Sequence, residues 1–155
     1  MPSAGANHAR DEKQVSSSEA RLPSILIVDD SHDSANSLHN LFRVHGFEAH
    51  VAYDGDTAFE IAKAHLPDVI LLDLGMPGMD GVHLALFFRE DEQLKDKVLI
   101  AVTGYADDRH RQQCDAAGFD YILPKPVAWN DLQSTIDRLW SERKRPQPQN
   151  RPRGP

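Results

Sequence analysis

The sequence contains one cysteine, Cys114, among 155 residues. An internal disulfide is therefore excluded, and a lone thiol is typical of proteins that work in the reducing cytoplasm. No apolar run approaches the roughly 20 residues that a membrane-spanning helix needs. Residues 1–21 also lack the apolar core of a signal peptide. We therefore expect a cytoplasmic protein without a membrane-inserted segment.

Positive charge is scarce in the central part of the chain, where residues 22–140 hold 9 Lys and Arg against 20 Asp and Glu. Such a surface repels the phosphate backbone of nucleic acids, so we expect no direct nucleic-acid partner. Residues 145–155 are basic and contain four prolines, while residues 1–21 show no hydrophobic periodicity. We expect both ends to be disordered, on either side of one folded domain over residues 22–144.

Short apolar runs alternate with amphipathic segments from Ser24 onward. The runs predict five buried strands, at residues 25–28, 48–52, 69–72, 98–102 and 121–123. Apolar residues spaced three and four apart predict helices at about residues 32–45, 57–65, 82–90, 107–117 and 129–144. The predicted helix positions facing the core include Leu41, Phe42, Ala62, Ala64, Phe87, Phe88, Leu139 and Trp140.

Strict alternation of strands and helices favours an α/β fold, in which a parallel sheet has right-handed crossovers and helices on both faces. Pro124 cannot donate a backbone hydrogen bond, which predicts that the fifth strand lies at an edge of the sheet. The sequence therefore predicts a doubly wound (βα)5 domain of the flavodoxin-like type, with strand order 2-1-3-4-5.

Polar residues follow the predicted strands at the points where these end. Asp29 and Asp30 come after the first strand, Asp73 after the third and Thr103 after the fourth, and Lys125 lies just beyond the fifth. The carboxyl ends of parallel strands meet at one edge of the sheet, so we expect these groups to lie together at the topological switch point. The alternative is that each acid only caps the following helix.

Three carboxylates at close range repel one another unless a cation compensates their charge. A divalent ion that prefers oxygen ligands fits this set, and Mg²⁺ binds one or two carboxylates together with waters and a phosphate oxygen. Lys125 adds a positive charge and Thr103 a hydroxyl donor. The set matches phosphoryl transfer to a carboxylate, with Asp73 as the nucleophile.

The motifs together resemble the receiver domain of two-component response regulators. They are Val28-Asp29-Asp30, Asp73 with the following Met76-Pro77-Gly78-Met79-Asp80-Gly81, Thr103-Gly104 and Lys125-Pro126, and the similarity covers about residues 23–142. No segment after residue 144 is predicted to fold, so the chain looks like a stand-alone receiver. Its sequence is also compatible with a fragment of a hybrid kinase.

The resemblance implies a role for each matching position. Asp73 would accept a phosphoryl group from a histidine kinase or a histidine phosphotransfer protein. Asp30 and Asp73 would bind Mg²⁺ directly, Asp29 mainly through water, and Gly75 through its backbone carbonyl, with Mn²⁺ as a substitute metal. Thr103 would donate a hydrogen bond to the phosphoryl group and Lys125 would pair with it. The bond between Lys125 and Pro126 would be cis.

Signal output should depend on contact with another protein or on onward phosphotransfer. The resemblance implies that a downstream partner binds the face formed by residues 107–142. Many receivers carry an aromatic switch residue three positions before the lysine, but Ile122 occupies that position here, and Tyr121 should point to the other face of its strand. Tyr105 is the alternative candidate for a moving ring, or else an aromatic residue of a partly exposed loop.

Three other functions use a similar fold or chemistry. A flavin-binding protein would need free amide donors in the first loop, where this chain has Asp29, Asp30 and Asp33. An aspartyl-phosphate hydrolase would need a second acid two residues after the nucleophile, where this chain has Gly75. A degenerate receiver that acts as a scaffold would not need the complete set of acids, threonine and lysine. We therefore do not expect turnover of an external substrate.

Overall fold

Strands and helices alternate along the whole of the described chain. The computed structural model describes residues 21–75, 80–104 and 108–144. Its strands are β1 Ile25–Val28, β2 Ala49–Ala52, β3 Val69–Asp73, β4 Val98–Thr103 and β5 Tyr121–Pro124. Its helices are α1 His32–Val44, α2 Gly55–His65, α3 Gly81–Glu90, α4 Asp108–Ala117 and α5 Trp129–Lys144.

The strands form a single parallel sheet with the order β2-β1-β3-β4-β5. The predicted fold class and strand order are therefore confirmed. Pro124 lies in the edge strand β5, opposite Thr103 of β4, where its missing N–H costs no bond to a further strand. Asp73 lies opposite Val102, which brings the ends of β3 and β4 to the same level.

Each face of the sheet is covered by a different set of helices. One face packs against α2, α3 and α4 through residues that include Leu26, Ile70, Leu72, Leu84 and Phe88. The other packs against α1 and α5 through residues that include Ile27, Leu71, Phe42, Leu132 and Ile136. The central strands β1, β3 and β4 are buried along their whole length, as continuous apolar strands of parallel sheets usually are.

Side-chain caps start three of the helices. The Oγ atom of Ser31 accepts a hydrogen bond from the Ser34 N–H, and Asp54 and Asp80 accept bonds from N–H groups in the first turns of α2 and α3. These acceptors satisfy backbone donors that have no partner inside a helix. α2 consequently begins at Gly55, two residues before the predicted start.

Several helix positions that we expected in the core are exposed. Leu41 has 39% of its surface accessible and Phe87 has 53%, whereas their neighbours Phe42 and Phe88 are fully buried. Ala64 is exposed and Trp140 is half-buried. Periodicity identifies an apolar side of a helix, but how wide a stripe is covered depends on the elements packed against it.

The predicted terminal segments lie almost entirely outside the described residues. Arg21, which we expected to belong to the N-terminal segment, pairs with Asp68 at 3.0 Å and lies over the ring of Trp140. The folded body therefore includes Arg21. Across the described ranges, none of the helices has the length and apolar character required to cross a bilayer.

Candidate functional site

Three carboxylates converge at the carboxyl edge of the sheet. Asp29 and Asp30 follow β1, and Asp73 is the last residue of β3, the strand next to β1. One carboxylate oxygen from each residue lies within 4.8 Å of the others. Asp29 and Asp73 are buried, whereas Asp30 is exposed. The structure thus brings together acids that lie more than forty residues apart in the sequence.

Burial and the charge of Asp73 both raise the pKa of the Asp29 carboxyl. Burial raises the pKa of the Asp29 carboxyl above its ordinary value, and the nearby charge of Asp73 raises it further. The backbone N–H of Ser31 donates to Asp29 Oδ1 at 2.9 Å and partly opposes this rise in pKa. The Lys125 ammonium also lowers it, but the net shift in the pKa of Asp29 is upward.

The two oxygens of Asp73 have different partners. The backbone N–H of Gly75 donates to Oδ1 at 3.0 Å, while the Nζ atom of Lys125 lies 3.3 Å from Oδ2. The ammonium group reaches Asp73 from the loop after β5, and its side chain is 41% exposed. Asp73 is therefore held in place on one side and faces a solvent-accessible positive charge on the other.

The loop that carries Lys125 is joined to β4. The backbone N–H of Lys125 donates to the carbonyl of Thr103 at 2.9 Å. The peptide bond between Lys125 and Pro126, which we expected to be cis, is cis in the structure. Thr103 itself is buried at the end of β4. The predicted acid, hydroxyl and ammonium groups thus all lie at the carboxyl edge of neighbouring strands.

Gly75 and Gly81 lie close to Asp73. A Cβ atom on Gly75 would stand 3.7 Å from Asp73 Oδ1, which is an ordinary contact. One on Gly81 would stand 2.8 Å from Leu74 Cδ2 and 3.1 Å from the Asp73 carbonyl oxygen. Glycine at position 81 therefore lets the start of α3 pack directly against the end of β3. Residues 76–79 of the intervening loop lie outside the described residues.

The donor atoms of the cluster fit Mg²⁺. All three side chains offer carboxylate oxygens, and neither a thiol nor an imidazole belongs to the set within the described ranges. Negatively charged oxygen ligands are what Mg²⁺ and, less strictly, Mn²⁺ require. Burial is the main cause of the raised pKa of Asp29, and a cation would relieve the additional repulsion by Asp73.

Ile122 and Tyr121 point to opposite faces of β5. Ile122 packs against the core on the side of α2, α3 and α4. Tyr121 is exposed on the other side, where the guanidinium of Arg138 lies 5.2 Å from its ring centroid. Tyr105, the other candidate switch residue, lies outside the described residues. At the usual aromatic position the structure therefore has a half-buried aliphatic side chain.

A groove beside the acids was missed by the sequence interpretation. It runs between α1 and the loop after β5, and Asp33, Ser34, Leu38 and Val127 line it together with Asp29 and Lys125. The signal was present in the sequence, because positions 34, 38 and 41 share one side of α1. Leu41, which we predicted to face the core, is one of the residues that line this groove.

The fold and the site together define an open α/β domain with an acidic pocket at its topological switch point. Residues 25–137 match the family model described as the response regulator receiver domain. The chain therefore belongs to the receiver domain family of two-component response regulators.

Relatives agree with this assignment. The polar-differentiation response regulator DivK of Brucella ovis is 28% identical over 113 residues, which cover 73% of this chain and 92% of DivK. The regulatory protein AtoC of Escherichia coli is 35% identical over 74% of this chain, but the match covers only 24% of AtoC. The chemotaxis protein CheY4 of Vibrio cholerae has a solved structure with a TM-score of 0.73 and 28% identity, covering 76% of this chain and 98% of CheY4.

Proposed function

We propose that this protein is a phosphoacceptor in a two-component phosphorelay and that Asp73 is the residue phosphorylated. One observation carries the proposal. Three carboxylates lie within 4.8 Å of one another at the switch point, and the Lys125 ammonium lies 3.3 Å from Asp73 Oδ2. A nucleophilic carboxylate, a metal-binding set and a mobile positive charge are the parts that phosphoryl transfer requires.

The donor in this proposal is a phosphohistidine of a histidine kinase or a histidine phosphotransfer protein. A carboxylate oxygen of Asp73 attacks the phosphorus atom and forms an acyl phosphate bond. The phosphorus–nitrogen bond breaks, its electron pair stays on the imidazole nitrogen, and that nitrogen takes up a proton. The groove between α1 and the loop after β5 leads to Asp29 and Lys125, and we propose it as the route by which the donor approaches.

The residues of the chain have distinct tasks in this reaction. The Gly75 N–H holds Oδ1 of Asp73, and Lys125 moves from the free carboxylate to the oxygens of the incoming phosphoryl group. The hydroxyl of Thr103 donates to that group. When bound, Mg²⁺ would be held by Asp29, Asp30, Asp73 and the carbonyl of Gly75, and it would supply positive charge that offsets the phosphoryl oxygens.

Output is proposed to depend on protein contact. The α4–β5–α5 face, within residues 107–142, carries an exposed tyrosine, Tyr121, with Arg138 over its ring. Aromatic and arginine side chains are common anchors of protein interfaces. Onward phosphotransfer is the second form of output.

The proposal also retains the cytoplasmic location that the single cysteine predicts, with no direct binding of nucleic acid.

The competing functions have less support from the site. The Ser31 N–H, which a flavin phosphate would need, donates to Asp29 instead. Gly75 occupies the position where an aspartyl-phosphate hydrolase needs its second acid. A scaffold without phosphorylation would have no use for the pairing of Lys125 with Asp73.

Acetyl phosphate with Mg²⁺, followed by intact-mass measurement, tests the proposal. We expect one phosphoryl adduct, which is absent with EDTA and absent in Asp73→Asn. Asp137→Asn, an exposed acid on α5, is the matched control and should keep the adduct. An unchanged adduct in Asp73→Asn, or a stable adduct on histidine or serine, would contradict the mechanism.

A further inference from the structure

A second groove lies between α2 and α3, and none of its lining residues belongs to the phosphorylation site. It has a volume of about 540 Å³. Its floor is apolar and consists of Phe59, Leu84 and Phe87. Leu84 is almost fully buried, and the ring of Phe59 stacks on Phe88 at 5.8 Å. The floor is therefore held in place by the core beneath it.

Phe87 is the exposed part of this floor. Its side chain is 53% accessible to solvent. A large exposed aromatic side chain beside other apolar groups is characteristic of binding surfaces. Two phenylalanines along one groove form a surface onto which proline rings can pack, as happens where aromatic-lined grooves bind proline-rich segments.

The rim of the groove is acidic. Its charged lining residues are Asp56, Glu60, Glu90 and Asp91, with no Lys, Arg or His among them. Lys63 approaches from outside the lining and pairs with Asp91 at 2.9 Å, so the uncompensated charge lies mainly with the other three. An acidic rim around an aromatic floor selects a ligand that combines arginine with proline.

The chain itself contains such a segment. Residues 145–155 hold Arg145, Arg151 and Arg153, four prolines and no acid. Proline-rich sequences favour the extended polyproline II conformation, which loses little entropy on binding. We propose that residues 145–155 bind in the α2–α3 groove of the same molecule, with prolines on Phe59 and Phe87 and arginines at the acidic rim.

Side-chain contacts connect the end of α5 with the rim of the groove. Near the end of α5, the Arg143 guanidinium donates to Asp120 Oδ1 at 2.9 Å and also to the carbonyl of Asp96. Asp120 Oδ2 accepts from Arg89 at 3.0 Å, and Arg89 adjoins Glu90 of the groove rim. The segment therefore begins near the end of α3 at which the groove also ends.

The length of the segment agrees with the length of the groove. Eleven residues follow Lys144, and in a polyproline II conformation they span about 34 Å at 3.1 Å per residue. The ten residues of α3 span about 15 Å at 1.5 Å per residue. The extended segment is thus about 19 Å longer than α3, and this excess is available for the connection from α5.

Paramagnetic relaxation in the full chain tests the proposal. A nitroxide is attached to a Gly154→Cys variant, and burial protects the native Cys114, which is only 1% exposed and whose thiol pKa is raised by that burial. We expect the amide signals of Glu60 and Phe87 to lose more than half of their intensity, relative to the reduced label. Signals of Asn130 and Asp131, at the start of α5, should keep theirs.

Two matched double variants test the role of the rim. Glu60→Gln with Glu90→Gln removes charge from the groove, whereas Glu48→Gln with Asp137→Asn removes the same charge from exposed sites elsewhere. We expect the first pair to abolish most of the broadening and the second to leave it unchanged. High salt should act like the first pair, because at 1 M the screening length falls to about 3 Å.

Clear results would overturn the proposal. If Glu60 and Phe87 keep their intensity in the labelled chain, or if both double variants behave alike, the segment does not bind this groove. A mixture of spin-labelled protein and ¹⁵N-labelled protein without the spin label reports contacts between molecules. Broadening of equal size in that mixture would show binding between two copies and would exclude the intramolecular contact.

Discussion

Arg89 joins the loop before β4 to the loop before β5 at the amino-terminal edge of the sheet. Its guanidinium donates to the carbonyls of Lys95, Lys97 and Gly118 at 2.6–3.0 Å and to the carboxylate of Asp120 at 3.0 Å. The side chain is 20% exposed. One planar, charged group therefore satisfies carbonyls that no strand or helix pairs.

Replacement of Arg89 should be costly for stability. We expect Arg89→Met to lower the free energy of unfolding by about 2–3 kcal/mol, because several partly buried acceptors lose a charged donor. Arg89→Lys should recover little of this loss, since an ammonium cannot reach acceptors spread across a guanidinium plane. Urea denaturation measures the change. Arg43→Met, at an exposed site in the last turn of α1, is the control, and an equal loss there would refute the assignment.

At the scale of the element, α3 contains a matched pair of phenylalanines. Phe88 is fully buried against the sheet, and Phe87 is half exposed in the α2–α3 groove. We expect Phe88→Ala to destabilise the protein by about 3–5 kcal/mol through the cavity it leaves. Phe87→Ala should cost less than about 1 kcal/mol. Chemical denaturation of the two variants, side by side, measures the difference, and similar losses would contradict the different roles of the two rings.

The helix α4 contributes only small side chains to the core. Only Cys114 and Ala117 are buried in it, and both have small side chains. Because local stability follows buried apolar contact, we expect amides of α4 to exchange with solvent faster than those of the other four helices. Hydrogen exchange followed by NMR measures this. Slower exchange in α4 than in α1, whose buried residues include Phe42, would contradict the expectation.

At the scale of the whole molecule, the proposed metal site couples ion binding to folding. The three carboxylates meet only when β1 and β3 are paired, so Mg²⁺ should bind the folded chain and not the unfolded one. Free Mg²⁺ at a hundredfold excess over its dissociation constant would add about 2.7 kcal/mol to the free energy of unfolding. A thermal melt with Mg²⁺ against EDTA should show a higher midpoint.

Asp30→Asn and Asp137→Asn separate specific binding from general screening. Each removes one negative charge from an exposed position, but only Asp30 belongs to the acid cluster. We expect the Mg²⁺-dependent rise in midpoint to shrink strongly in Asp30→Asn and to persist in Asp137→Asn. An undiminished rise in Asp30→Asn would show that the ion stabilises the protein elsewhere.

Much of the fold could be predicted because parallel sheets have a strong local signature. Runs such as Ile25–Val28 and Val69–Leu72 are apolar without interruption, which occurs where both faces of a strand are covered. Pro124 indicated the edge strand because proline has no backbone N–H to donate to a further strand. The exposure of Leu41, Ala64 and Phe87 could not be predicted, because apolar character alone does not say which neighbouring helix is near enough to cover a side chain.

The site could be predicted in its members and not in its contacts. The site residues could be identified because each lies at or just after the end of a strand. They are Asp29, Asp30, Asp73, Thr103 and Lys125. One carboxylate oxygen of Asp73 accepts from the Gly75 amide and the other lies near the Lys125 ammonium. The spacing of residues in the sequence does not determine these distances. The groove beside α1 was missed for the same reason, since its walls come from two parts of the chain.

Hydrophobic periodicity and the handedness of crossovers were sufficient to predict the alternation of strands and helices and the acids at the carboxyl edge of the sheet. The predicted strand order depended in addition on Pro124, which indicated the edge strand. Only the three-dimensional structure shows which side chains are covered and which carbonyl groups accept hydrogen bonds from Arg89. It also shows that an acidic rim surrounds an aromatic floor between α2 and α3. These features arise where residues that are distant in the sequence come within a few ångströms of one another. Local patterns of hydrophobic residues do not determine such distances.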